Sequence, residues 1–161
     1  LLSSNAKPGA YRLTVEVRDN LAGRSAGFSH PIVLRPEAFA IVSTKFSLDP
    51  EGRIPSPCGG LVGQTLHYNF KLIGFSRSTM RVDASMTMVV LDESGLPTMP
   101  VPPRFAIQSS DPRVVPAAEY LEFRGQLLLN RPGRFVLRFD VRDEIDGKTT
   151  SSAFPLVVAT V

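Results

Sequence analysis

The sequence offers few side chains for redox, nucleophilic or metal chemistry. Its 161 residues contain one cysteine, Cys58, two histidines, His30 and His67, and no tryptophan. A single cysteine cannot close a disulfide within the chain, so the fold must be stabilised by a hydrophobic core. Two histidines are too few for a histidine-rich metal site. Both lie in or beside strand-like segments with polar neighbours, which indicates surface positions.

Long apolar runs and long charge runs are also lacking. No run approaches the roughly 18 residues of a membrane span, and the first residues form no charged start followed by an apolar block, so we expect no span and find no signal peptide. Because the chain starts with Leu1 rather than Met, we expect a processed chain or a fragment. The net charge is only +3 and the arginines are dispersed, so we expect no nucleic-acid partner.

The sequence instead has regular alternation of apolar and polar residues between connections rich in proline and glycine. Leu66 to Leu72 and Met80 to Val90 are the clearest cases, and no segment of ten or more residues has helical spacing. About seven strands are predicted between residues 37 and 161. This pattern predicts an all-β protein, an antiparallel β-sandwich of immunoglobulin type.

Several local features refine this prediction. The apolar parity changes between Ile41 and Phe46, which indicates a bulge or a bend, and Gly125 is a second candidate bulge. We expect a long loop from Asp49 to Gly63. The proline-rich segment from Leu96 to Ala118 is predicted to be loop with at most a short edge strand near residues 105–107.

An internal repeat organises the chain. Residues 8–34 and 132–158, aligned without a gap at an offset of 124 residues, are identical at nine of 27 positions, including Asp19 with Asp143 and Gly23 with Gly147. Unrelated stretches would share roughly one or two. Each copy reads as a strand, a polar turn and a second strand. The sandwich is therefore predicted to be preceded by a β-hairpin homologous to its last two strands.

The first hairpin cannot be stable alone, because two strands bury too little apolar surface. Residues 1–35 could be the terminal hairpin of a preceding repeat, with residues 36–161 forming the sandwich. They could also add strands to the same sandwich, or complete a neighbouring subunit by strand exchange. All three readings remain open at this point.

Two stretches carry a family resemblance. Residues 132–137, Pro-Gly-Arg-Phe-Val-Leu, with the polar turn at 143–147, and the strand-like run at 60–75 resemble bacterial immunoglobulin-like and fibronectin type III-like surface modules. The resemblance covers about a quarter of the chain and departs from antibody domains, which have a cysteine pair and a tryptophan. It implies a fold and a surface role, and no functional residue.

Each candidate for chemistry has a structural explanation that we favour. The acidic turn could hold calcium, but Asp19 and Asp143 are predicted to accept backbone N–H groups instead. The glycine-rich run at 58–63 lacks the lysine and helix of a phosphate loop and is predicted to be plain loop. Cys58 would need a nearby base to act as a nucleophile, and both histidines are predicted to be surface residues instead. The other carboxylates of the acidic turn are Asp140, Glu144 and Asp146.

Three further groups have a structural interpretation. Arg134, Arg138 and Arg142 form either a solvated face or a basic stripe, and Met80, Met86 and Met88 are predicted to fill the core. Leu21 and Ile145 either cap the end of the sandwich or contact an adjoining module.

The sequence therefore predicts no enzyme, with no catalytic, cofactor-binding or metal residues. We expect a structural or adhesion module of a repeated extracellular or cell-envelope protein or fibre, whose partners are neighbouring repeats or copies of itself. An accessory domain that binds a polysaccharide or a surface protein through the loops at 55–63 or 97–116 is one alternative. Those loops contain only Phe105 as an aromatic platform, which favours the structural role. A strand-exchanged filament subunit is the other alternative.

Overall fold

The computed structural model describes residues 7–36, 38–77, 80–113, 115 and 118–160. These residues contain strands and turns and no helix, which confirms the all-β prediction, and so none of them forms a helix that could cross a membrane. The chain divides into two compact units, Leu1–Ala38 and Phe39–Val161. The described residues form ten strands, in chain order β1 (Gly9–Arg18), β2 (Ser25–Leu34), β3 (Ala40–Ser47), β4 (Gly59–Leu61), β5 (Thr65–Ile73), β6 (Val82–Leu91), β7 (Arg104–Ser109), β8 (Leu121–Leu128), β9 (Gly133–Asp143) and β10 (Thr149–Ala159).

The first unit is the predicted hairpin. Strands β1 and β2 form a two-stranded antiparallel sheet in continuous register from Gly9 opposite Leu34 to Arg18 opposite Ser25. Apolar side chains on this ribbon are exposed, among them Leu13, Val17 and Phe28. The ribbon therefore has an apolar face without a core of its own.

The second unit contains two sheets. One has five strands in the order β4-β10-β9-β6-β7, and the other has three in the order β3-β5-β8. Neighbouring strands are antiparallel except β4 and β10, which run parallel. The predicted strands of this unit are all present, and β4 is an additional one.

Both sheets contribute to one hydrophobic core. The alternation in β5 places Leu66, Tyr68, Phe70 and Leu72 in this core with at most 2% of each residue exposed. Phe139 of β9 meets the rings of Tyr68 and Phe70 at centroid distances of 4.8 and 5.1 Å. Since β5 and β9 belong to different sheets, these aromatic contacts join the two sheets.

The bulge predicted in β3 is confirmed. The register of β3 against β5 shifts between Val42 and Lys45, and Ser43 has a positive φ of 54°. The prediction that the next strand starts at Met80 is wrong: β6 begins at Val82, and Met80 is 51% exposed with a φ of 52°. Met86 and Met88 are buried, as predicted for core fillers.

The predicted loop from Asp49 to Gly63 contains a strand that the sequence did not indicate. A Cβ on Gly59 would lie 2.3 Å from the carbonyl oxygen of Val157, so only glycine allows β4 to approach β10 this closely. The prediction of plain loop for residues 58–63 is therefore wrong for the three residues of β4. The edge strand predicted near residues 105–107 is confirmed, and it extends to the six residues of β7.

Gly125 does not form a bulge, because β8 pairs with β5 in unbroken register from Leu121 to Leu128. Its role is steric. A Cβ on Gly125 would lie 2.2 Å from the hydroxyl oxygen of Tyr68, which stands opposite in the register. Glycine at this position makes room for the tyrosine ring inside the core.

Replacing Tyr68 with Phe is expected to stabilise the second unit by about 0.5–1 kcal/mol. The Tyr68 hydroxyl is buried without a hydrogen-bond partner among the described residues, and burial raises its pKa to about 12. Removing an unpaired buried hydroxyl removes its desolvation cost. Urea unfolding followed by far-ultraviolet circular dichroism measures the change, and a loss of stability would show that the hydroxyl has a partner.

Replacing Gly59 with Ala is expected to destabilise the second unit by about 1–2 kcal/mol, because β4 must move away from Val157 to accommodate the new Cβ. The cost is limited since only three residues pair with β10. Gly52 to Ala is the matched control: Gly52 also has a positive φ, 74°, but a Cβ there meets no atom within 4 Å. Equal losses for the two variants would contradict the steric explanation.

Candidate functional site

Asp143, which is only 1% exposed, organises the turn between β9 and β10. Its Oδ1 accepts hydrogen bonds from the backbone N–H groups of Ile145 at 2.9 Å and Asp146 at 3.3 Å. Its Oδ2 accepts one from the backbone N–H of Ser76 at 2.6 Å. The carboxylate thus holds its own turn and also fixes the chain that leaves β5.

The same turn is present in the first hairpin. Asp19 Oδ1 accepts the backbone N–H groups of Leu21 at 2.8 Å and Ala22 at 3.0 Å, and these hydrogen bonds lower the Asp19 pKa, with that from Ala22 contributing most. Gly23 and Gly147 close the two turns with φ of 65° and 71°. Both aspartates therefore accept backbone N–H groups, as the sequence predicts for turn residues.

The two hairpins also share their strand register. Gly9 pairs with Leu34 in β1 and β2, and Gly133, 124 residues later, pairs with Val158 in β9 and β10. The same offset of 124 residues relates the strand pairs at the turn end, where Arg18 opposite Ser25 corresponds to Arg142 opposite Thr149. The internal repeat is thus reproduced pair by pair in the backbone.

The other carboxylates of the acidic turn do not converge on one point. Asp140 binds Arg138 at 3.0 Å, and Asp146 binds Lys148 at 2.9 Å, an interaction that lowers the Asp146 pKa. Within the described residues, no three histidine, cysteine, aspartate or glutamate side chains are grouped as metal ligands would be. The calcium reading therefore gains no support from this geometry.

Glu144 belongs to a polar cluster that the sequence analysis missed. Its Oε1 accepts hydrogen bonds from Ser85 Oγ at 2.5 Å and Arg104 Nη2 at 2.7 Å, and its Oε2 lies 3.3 Å from Arg142 Nε. The Ser85 hydrogen bond, followed by the charges of Arg104 and Arg142, lowers the Glu144 pKa. The cluster joins β6, β7 and β9 on the outer face of the five-stranded sheet.

The predicted basic stripe on β9 is a mixed-charge surface. Two of its three arginines have carboxylate partners two residues away on the same face: Arg138 binds Asp140, and Arg142 binds Glu144. Arg134 is exposed. The stripe therefore presents much less net positive charge than its arginines alone suggest.

Cys58 has no feature of an activated nucleophile among the described residues. Burial raises the pKa of the half-buried Cys58 thiol to about 12, so the thiol stays protonated and is a poor nucleophile near neutral pH. His30 lies on β2 of the first unit, and His67 lies on β5. His67 is half-buried rather than fully on the surface, whereas His30 is exposed.

A groove of about 890 Å³ lies along the three-stranded sheet beside the loop at 50–56. Its polar lining comes from all three strands of this sheet, with Lys45 of β3, His67 of β5 and Arg124 of β8 among them, and from the loop. Its aromatic lining residues, Phe46 and Tyr68, are half-buried and buried. Neither ring is exposed as a platform on which a sugar could stack.

The two apolar turn residues differ in their surroundings. Leu21 is fully exposed, with a relative accessibility of 101%, whereas Ile145 is half-buried. Phe105, the aromatic residue of the predicted binding loops, lies on β7 and is 40% exposed. Whether Leu21 and Ile145 cap their ribbons or contact an adjoining module stays a prediction.

The chain matches no protein-family model and no curated protein. Among solved structures it is similar to a family 123 glycoside hydrolase from Clostridium perfringens, with 8% sequence identity and a TM-score of 0.45. The similarity covers 75% of this chain and 27% of the hydrolase chain. At this level of similarity it provides no argument about activity.

Proposed function

We propose that this chain is a non-catalytic structural or adhesion module of a repeated extracellular or cell-envelope protein or fibre. In this proposal residues 39–161 form an immunoglobulin-like sandwich. Residues 1–35, through β1 and β2, supply the terminal hairpin of a preceding module.

The strand order supports the immunoglobulin-like assignment. If β3 to β10 are named A, A′, B, C, C′, E, F and G, one sheet is A-B-E and the other is A′-G-F-C-C′. Immunoglobulin-type sandwiches divide these strands between their sheets in the same way. The cysteine pair and the tryptophan of antibody domains are missing, so hydrophobic and aromatic contacts across the core take their place.

The observation that carries the repeat is the common register of the two hairpins, together with their common aspartate turn. In β9 and β10 the inner face of this ribbon is buried against the three-stranded sheet. In β1 and β2 most of the corresponding face is exposed, with Val15 and Ile32 among its half-buried residues. A preceding module would supply the missing cover.

Two features favour a structural role over catalysis. The carboxylates of the acidic turn have partners that hold strands and turns together, and the only thiol is kept protonated by burial. The mixed-charge surface of β9, and the lack of an exposed ring among the described residues that line the groove, disfavour an accessory domain for acidic or neutral sugars.

Amide hydrogen exchange on a longer polypeptide tests the proposal. We would extend the natural chain upstream of Leu1 by one repeat length of 124 residues and compare β1 and β2 with the same strands in the 161-residue chain. Roughly 100-fold or greater additional protection is expected, because the ribbon becomes part of a folded core. Unchanged protection would contradict the repeat.

Sedimentation of the 161-residue chain at several concentrations separates this proposal from strand exchange. A monomer at every concentration is expected if the ribbon belongs to a module in its own polypeptide. A discrete dimer or filament that grows with concentration, and is lost when residues 1–35 are removed, would instead favour the strand-exchanged subunit.

A further inference from the structure

The two hairpins differ at one directly opposed pair on their inner faces. In the second hairpin Phe139 of β9 stands opposite Ser152 of β10. At the same positions of the first hairpin Val15 of β1 stands opposite Phe28 of β2. Directly opposed residues of an antiparallel pair share a face. The one aromatic ring of this pair has therefore changed strands between the copies.

Phe139 is the centre of the core in the second unit. It is fully buried, and its ring meets Tyr68 and Phe70 of β5, at 4.8 and 5.1 Å, and Phe154 of β10, at 6.1 Å. The opposed Ser152 is small and half-buried. At this pair the three-stranded sheet β3-β5-β8 thus receives a large side chain from β9 and a small one from β10.

The first hairpin has the opposite arrangement. Its large side chain, Phe28, is 60% exposed and belongs to the second strand, about 5 Å from the place where β9 carries its ring. A second difference lies on the same strand, because exposed His30 occupies the position of Phe154, whose ring packs on Phe46 at 5.2 Å. The inner face of the first hairpin therefore does not fit a sheet like β3-β5-β8.

We propose that β1 and β2 are covered by the three-stranded sheet of a preceding module that is not identical to residues 39–161. This inference rests on the proposed function and specifies the partner. The covering sheet carries a bulky apolar side chain over Val15, a recess over Phe28 and a polar partner for His30. Repeat proteins whose neighbouring modules are similar can misfold by exchanging elements between modules. Adjacent modules with such different hairpins cannot exchange them in this way.

A fusion that keeps both hairpins and the whole second unit tests the inference. Residues 39–131 are placed directly before residues 8–161, so that Pro8 takes the place of Pro132 and the first hairpin is offered a sheet of the β3-β5-β8 type. Amide hydrogen exchange in β1 and β2 is the readout. The unaltered ribbon is expected to stay within about tenfold of its protection in the unfused chain.

The exchange of the pair, V15F/F28S, restores the pattern of Phe139 and Ser152 without enlarging the ribbon. It is expected to raise protection in β1 and β2 by roughly 100-fold over the unaltered fusion, and adding H30F is expected to raise it further. The matched control is T14S/S29T, which exchanges the opposed pair at the neighbouring position on the other face of the ribbon, and it is expected to change nothing.

A second fusion, residues 39–158 followed by residues 35–161, contains two native copies of the second hairpin and shows that the duplicated module folds. If, in the first fusion, the unaltered β1 and β2 are protected as strongly as β9 and β10, a sheet of the β3-β5-β8 type covers them well. That result overturns the inference and leaves the proposed function standing. If neither V15F/F28S nor the variant with H30F gains protection while the second fusion folds, the ribbon is not an equivalent of β9 and β10, and the proposed function falls with the inference.

Discussion

Phe139 to Ala is expected to lower the unfolding free energy of the second unit by about 3–5 kcal/mol. The ring is fully buried between the two sheets and lies within 6.1 Å of three other rings, centroid to centroid. Alanine would leave a cavity that the surrounding strands cannot fill, because β9 is paired along both edges with β6 and β10. Urea unfolding followed by far-ultraviolet circular dichroism measures the loss.

The matched control is Val157 to Ala, on the outer face of β10, where the side chain is 49% exposed. Truncation there is expected to change stability by less than about 1 kcal/mol. Val15 to Ala, at the position of the first hairpin that corresponds to Phe139, should leave this transition unchanged. Similar losses for Phe139 and Val157 would show that the two sheets do not share a core centred on Phe139.

The strands of this chain could be predicted because their inner faces are regular. Leu66 to Leu72 in β5 alternate without interruption, and every second residue of β6 from Val82 to Val90 is apolar and buried. A period of two residues determines which face of a strand is buried. The bulge in β3 was predictable for the same reason, because a change of parity requires an inserted residue.

The failures occur where contacts between distant residues decide the conformation. Gly59 and Gly60 read as loop because glycine disfavours strands, yet β4 exists through its close approach to Val157. Gly125 was expected to be a bulge, but its purpose is to leave space for the ring of Tyr68, 57 residues earlier in the chain. Neither spatial neighbour can be read from a local pattern.

The same limit applies to the candidate site. The turn role of Asp19 and Asp143 was predictable because a carboxylate can accept the N–H groups of the next residues locally. The hydrogen bond from Ser76 to Asp143 and that from Ser85 to Glu144 span 67 and 59 residues. These two hydrogen bonds depend on how β5, β6 and β9 assemble, so no local sequence motif predicts them.

Comparison of the two aspartate turns shows what the second unit adds to a local motif. Asp19 lies in an exposed turn and accepts two backbone N–H groups. Asp143 has the same two interactions and a third, from Ser76, and is buried. Identical turns can therefore differ greatly in energetic importance, and the difference can be measured within one molecule.

Asp143 to Ala is expected to cost the second unit about 3–4 kcal/mol of unfolding free energy. The substitution removes the carboxylate that accepts three backbone N–H groups. The N–H group of buried Ser76 loses this acceptor at a place where water cannot replace it. Loss of the contact should also release the segment after β5, so hydrogen exchange at the Ser76 amide is expected to accelerate together with that of the turn. Urea unfolding and exchange on the same samples measure both effects.

Asp19 to Ala is the matched control, because it removes the same acceptor from the same turn in the first hairpin. It should leave the unfolding transition of the second unit unchanged and accelerate exchange only near Leu21 and Ala22, since the turn is exposed to water. Asp143 to Asn, which keeps one acceptor oxygen, should lose less stability than Asp143 to Ala. If Asp143 to Ala proved as mild as the control, the bond from Ser76 would be dispensable, and Asp143 would be a turn residue like its counterpart.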